Sequence, residues 1–318
     1  MIKKASNKNG IVELFRFLCS IWVAHYHGFL PVTSSQGYFD GVNISVDFFF
    51  LVSGLFFLRS IEKYRERPLK DGIRHIFWDR TKAFIVPLAI AALSILLCNI
   101  IFPLDFGGFN WPLSFLWFFA AQFVYLTLLF IVLKNTKKRS TFNIVCLIVI
   151  GVCMSLSLFM DASFERQFDR VFRGPAMLAL GMLVSQIPKI SIKAKNELNS
   201  ARMTLTLNII GFVVSASAFA YLAYMPEYTT LKAHLFTCVI CPAFLYFATA
   251  LPIRGRLFDF LGEISIFIYL AQCPMVIYYY ATNKDTVYEF TWFCVCIVAM
   301  FVINRIVNQV VRKKKATT

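Results

Sequence analysis

The chain has 318 residues, 58% of them hydrophobic and only 15% charged, with 35 phenylalanines, a mean hydropathy of +0.67 and a formal net charge of +15. A soluble domain of this size covers itself with roughly a quarter charged residues, so the composition excludes an ordinary soluble globular protein. The charge does not point to nucleic acid either, because the basic residues flank apolar segments, as membrane topology and anionic lipid both require.

In chain order, the basic N-terminus MIKKASNKNG leads into an apolar segment with no small-residue cleavage site after it, which reads as a retained signal anchor. At about 20 residues per crossing, apolar segments fall near 11–30, 42–58, 83–102, 113–133, 142–160, 174–187, 203–224, 232–250, 257–281 and 287–311. Lys and Arg collect in alternate connections. The N-terminal tail, the 59–82 loop, Lys134 to Arg139, Lys189 to Arg202, Arg254 with Arg256, and the C-terminal tail hold 25 of the 32 basic residues. The opposite connections hold five, Arg166, Arg170, Arg173, Lys232 and Lys284. This alternation predicts an all-α polytopic membrane protein of about ten transmembrane helices, both termini cytoplasmic, as one membrane-embedded domain over 1–318 in the cell membrane.

Arg16 and His27 lie eleven residues apart inside the first apolar segment. At about 100° and 1.5 Å per residue they share one helix face about 16 Å apart, Arg16 toward the cytoplasm and His27 toward the outside. Charge inside a span is a functional hypothesis. A permanent guanidinium suits an anionic ligand, and an imidazole can take and return a proton near neutral pH. The bland alternative is an arginine snorkelling to the headgroups and an interfacial histidine.

The second segment, NISVDFFFLVSG, places Asp47 just inside the external boundary, Ser53 deeper, and Gly54 where it allows close backbone approach. A buried carboxylate needs a partner, and the candidates are Arg170, Arg173 and His27. The 59–82 loop, with Pro68 and Gly72, reads as a short amphipathic surface helix or a solvated connector. Arg170 and Arg173 in the external loop could grip an acidic or pyrophosphate-bearing substrate, or simply pair with Glu165, Asp169 or Asp47.

All nine cysteines fall in apolar stretches and read as small buried residues rather than a disulfide framework. His234, Cys238 and Cys241 share a helix face without a second ligand pair, so no metal ion is expected. The aromatic runs Phe48 to Phe50 and Tyr278 to Tyr280 read mostly as lipid-facing or interfacial belts.

Several stretches now fit one pattern. RFLCSIWVAHYHGF resembles the Arg-x10-His signature of the acyltransferase-3 family of integral membrane acyltransferases, and SVDFFFLVSGLFF resembles that family's "vDlFFvlSGfl" segment. FWDRTKAFIVP is similar to its basic turn ending in proline, LWFFAAQFVYL to its "lWfL" span, and FLGEISIFIYLAQCP to its "lG.iSy.iYLiH.p" helix. Gln272 stands where many members have histidine, and Gln122 where some have glutamate, so neither receives a proton-transfer role.

The resemblance implies transfer of an acyl group, commonly acetyl from cytoplasmic acetyl-CoA, to a hydroxyl of a cell-surface or lipid-linked glycan. His27 is then the general base and Arg16 helps hold the donor, with Asp47, Ser53, Arg170 and Arg173 as substrate-binding candidates. Acetyl-CoA is a substrate rather than a bound cofactor. The expected partners are acyl-CoA, the sugar acceptor and membrane lipid; nucleic acid is not expected and a homo-oligomer is allowed. A multi-pass transporter or flippase, or a non-catalytic subunit of a glycan-assembly complex, are the competing readings. A transporter should show paired Gly/Pro-broken half-motifs, whereas the charge here is concentrated in the first two segments.

Overall fold

The computed structural model describes residues 9–24, 39–101, 117–163, 169–193, 196–224, 230–281 and 286–317. Among them every regular element is a helix: α1 Gly10–Ala24, α2 Phe39–Tyr64, α3 Leu69–Ile101, α4 Trp117–Leu133, α5 Arg139–Ser163, α6 Asp169–Gln186, α7 Glu197–Tyr224, α8 Thr230–Ala250, α9 Arg256–Ala281 and α10 Thr286–Thr317. Each contains or overlaps one apolar segment read from the sequence. Among the described residues four stretches are long and apolar enough to cross a membrane, Ile44–Tyr64, Arg139–Phe159, Glu197–Leu222 and Phe290–Val310, and shorter apolar ones are Phe84–Leu97, Phe118–Leu133 and Thr237–Ala250. The outward faces carry a lipid-compatible band that includes Leu93, Ile100, Leu147, Val214 and Val298. Helices suit that medium because each satisfies its own backbone hydrogen bonds.

The 59–82 segment forms no separate surface helix. Residues 59–64 finish α2, a turn follows, and α3 runs unbroken from Leu69 through Pro87 to Ile101. Pro68 immediately precedes that helix and Asp71 lies in its first turn, where a missing N–H is harmless and a carboxylate meets the positive end of the dipole. The basic turn of the FWDRTKAFIVP motif is therefore helical.

Helix α2 is the central element: 61% of its apolar window is buried, against 22% for the windows in α5, α7 and α10. Glycine sets this up. A Cβ on Gly54 would lie 2.1 Å from the Leu178 carbonyl oxygen, and one on Gly181 would lie 2.0 Å from that of Leu51. The backbones of α2 and α6 touch there, running parallel, as small residues at membrane-helix interfaces allow. Sinking α2 this far corrects the lipid-facing reading of Phe48 to Phe50. Phe48 and Phe50 are fully buried and Phe49 half-buried. Phe48 packs with Phe15, Phe219 and Phe244 at ring-centroid distances of 5.8–6.4 Å, and Phe50 lies 4.7 Å from Phe118. The side chains of Tyr278 to Tyr280 lie outside the described set.

Helices α1 and α9 also run parallel, since Gly10 meets Phe258 and Glu13 meets Gly262. Hydrogen bonds tie the basic connections together at one end of the bundle. Lys134 donates to the Arg67 carbonyl, Arg139 to that of Gln186, Lys189 to that of Tyr246 (2.9 Å) and to Thr249, and Asn9 to those of Ala248 and Leu251 (3.0 Å each). The seven cysteines described are free thiols.

Two predictions follow from this packing. Gly54→Ala or Gly181→Ala drives a methyl into backbone and should lower stability by roughly 1–3 kcal/mol. Gly151→Ala meets nothing within 4 Å and should be neutral or stabilising by up to about 1 kcal/mol, all read by thermal unfolding in detergent. Lys189 is pushed down to about 8 from 10.5 by burial. Its folded pKa lies below its unfolded one, so the unfolded chain holds the extra proton between those values and stability rises with pH across that window. Lys189→Met should flatten the rise in melting temperature between pH 8 and 10.

Candidate active site

Arg16 sits on the second turn of α1, and its guanidinium donates to the Glu13 carboxylate at 2.9 Å. The two are one helical turn apart, so the pair is built into the local sequence. What makes it stable is the neighbouring helix. Glu13 is only 3% exposed and occupies the space left by the absent side chain of Gly262, where a Cβ would fall 1.6 Å from its carboxylate oxygen. Arg16 itself is 27% exposed.

That exposure faces a cavity of about 250 Å³ between α1, α3, α9 and α10, lined by Arg16, Pro87, Glu263, Phe267, Asn304 and Asn308 among others. Glu263 is held by Arg305 at 2.7 Å, and Asn308 donates to the Asn304 side-chain oxygen at 3.1 Å. Neither acid is left without a cation, and the asparagines supply neutral donors and acceptors. Glu13, Glu263, Asn304 and Asn308 did not stand out as site residues in the sequence. The available signals were Glu13 three residues before Arg16 and the Asn304/Asn308 pair one turn apart in an otherwise apolar helix.

His27 lies outside the described residues, so its separation from Arg16 has no structural counterpart here. The same holds for the Arg170 side chain. Asp47 finds its partner in Arg173, with Nε to Oδ2 at 3.3 Å and both side chains at most 3% exposed. Arg170 and Arg173 both lie on the helix that Gly54 and Gly181 bring against α2, and it is Arg173 that meets the carboxylate. Ser53 accepts a hydrogen bond from the Gln122 amide, so Gln122 anchors the serine hydroxyl across α2 and α4. Neither Asp47 with Arg173 nor Ser53 with Gln122 lines the Arg16 cavity.

Gln272 is fully buried on α9, and among the described residues neither its amide oxygen nor its nitrogen has a hydrogen-bond partner. A buried amide in that state costs about 1–3 kcal/mol per unmade bond.

An apolar helical bundle with paired charges inside it defines a multi-pass membrane protein with an internal polar site. A family model described as an acyltransferase domain matches residues 9–307, and the chain belongs to this acyltransferase-3 family. It is a membrane acyltransferase. No curated protein and no solved structure matches it.

Asp47→Ala or Arg173→Ala alone strands a buried charge and should lower stability by roughly 3–5 kcal/mol, and the double replacement Asp47→Leu with Arg173→Met should recover most of it. Thermal unfolding measures this. Recovered stability with full transferase activity marks a packing pair, and recovered stability without activity marks a pair that also serves the substrate.

Proposed function

We propose that the protein moves an acetyl group from cytoplasmic acetyl-CoA to a hydroxyl of a cell-surface or lipid-linked glycan. In this reading ten helices cross the cell membrane with both termini in the cytoplasm. The observation that carries it is Arg16, a charged side chain inside an acyltransferase bundle that opens into a polar-lined cavity. The gathering of basic connections at one end supports the orientation, since such segments favour the cytoplasmic side.

Arg16, tethered by Glu13 on one edge, keeps other N–H groups for a donor phosphate or the acyl carbonyl. The cavity is smaller than the roughly 300–1,000 Å³ usual for drug-sized ligands, so it fits one part of an elongated donor. His27, on the same face nearer the outside, removes the acceptor hydroxyl proton as its oxygen attacks the thioester carbonyl. The carbon–sulfur bond breaks and the coenzyme thiolate leaves with a proton returned by the imidazole. General base catalysis of this kind contributes typically 10²- to 10⁴-fold.

Mass spectrometry of cell-surface glycans with and without the gene should show a difference of one acetyl unit on one glycan. His27→Ala should abolish that acetylation while the protein still inserts, and undiminished acetylation would sink the mechanism. Arg16→Gln should raise KM for acetyl-CoA about tenfold or more, read in membranes with equal protein content. No acyl difference in any glycan favours the transporter or subunit reading instead.

A further inference from the structure

A second cavity, of about 390 Å³, opens at the basic end of the bundle between the C-terminal ends of α2 and α6 and the connection from α4 to α5. Its lining includes Glu62, Arg65, Lys137, Arg139, Ser185 and Gln186. Three cations face one carboxylate, and among the described residues Glu62 and Arg65 form no ion pair with each other.

The hydrogen-bond accounting in this cavity is one-sided. The Arg65 Nε and the Gln186 Nε2 are buried and have no hydrogen-bond partner among the described residues. Three other polar groups of the lining each turn a donor inward to the fold. Ser185 donates to the Met182 carbonyl at 2.6 Å, Thr136 to that of Leu133 at 2.6 Å, and Arg139 to that of Gln186. Two buried side-chain donors are therefore left over among the described residues, and no buried side-chain acceptor lining the cavity is. The missing partner must accept hydrogen bonds, and the excess of cations asks that it be negative. The first turn of α5 adds the positive end of a 25-residue helix, since Arg139 and Phe142 both border the space.

We propose that this cavity is a phosphate-binding site, separate from the one at Arg16. Arg65 and Arg139 would supply charge-assisted contacts, and the Gln186 amide a neutral one that fixes the oxygen position. The phosphate could belong to an anionic lipid headgroup in the cytoplasmic leaflet or to the nucleotide end of a coenzyme. The site does not rest on the proposed acetyl transfer, because lipid occupancy is independent of it.

The test uses the full-length protein in phosphatidylcholine nanodiscs, with thermal stabilisation titrated separately by phosphatidylglycerol and by adenosine 3′,5′-bisphosphate. At least one probe should stabilise the wild type, and the responding probe identifies the source of the phosphate. Arg65→Gln with Arg139→Gln should weaken its apparent affinity about tenfold or more. Gln186→Leu, which leaves net charge unchanged and removes an amide nitrogen without a partner among the described residues, should weaken it severalfold and decides the matter if the double variant does not fold. Arg254→Gln with Arg256→Gln removes two charges at the same end but outside the cavity and should leave affinity within about twofold. If neither probe stabilises the wild type, if Gln186→Leu binds like the wild type, or if the control loses as much as the cavity variants, the proposal is overturned.

Discussion

Where Gly54 and Gly181 face each other, the backbones of α2 and α6 come into direct contact, and the centre of the bundle is arranged around that approach. A methyl on either residue would force the helices apart. With the helices in contact, Arg173 is carried to Asp47, and a carboxylate that would be intolerable alone in an apolar interior gains a counter-ion at 3.3 Å. The same approach buries Phe48 and Phe50, which join the aromatic contacts linking α2 to α1, α4, α7 and α8. A close backbone contact, a buried ion pair and a core of tilted and edge-on aromatic rings are thus one construction.

The Arg16 site follows the same economy at the other interface. Gly262 gives up its side chain so that Glu13 can sit against α9, and Glu13 in turn fixes Arg16 at the edge of the cavity. A bare arginine at this depth would snorkel toward the headgroups. Held by a buried carboxylate, it stays at the edge of the cavity and keeps part of its fork open. The two central ion pairs therefore differ in use: Asp47 with Arg173 is closed on both sides, whereas Arg16 with Glu13 is closed on one and open on the other.

Much of this was legible in the chain. The ten apolar segments found helices because hydrophobic length is a local property, and Arg16 was legible as a charge inside one of them for the same reason. Gly54 was recognisable as a point of close approach from its place in the SVDFFFLVSG stretch. Which of Arg170, Arg173 or His27 would meet Asp47 was not, since that depends on how α6 is rotated against α2. The reading of Phe48 to Phe50 as a lipid belt failed for the same reason: a run of phenylalanine has no polar side to show which way it faces. Glu13 escaped notice because its significance depends on a glycine some 250 residues away.

The sequence by itself determined an all-helical membrane protein, the alternation of basic connections and the charged residues available for chemistry, because length, hydropathy and helical periodicity act within one segment. Only the tertiary structure decided which charges are paired, which face a cavity and which aromatic rings are buried. Those outcomes depend on distances between helices, and these are set by where two glycines let backbones touch.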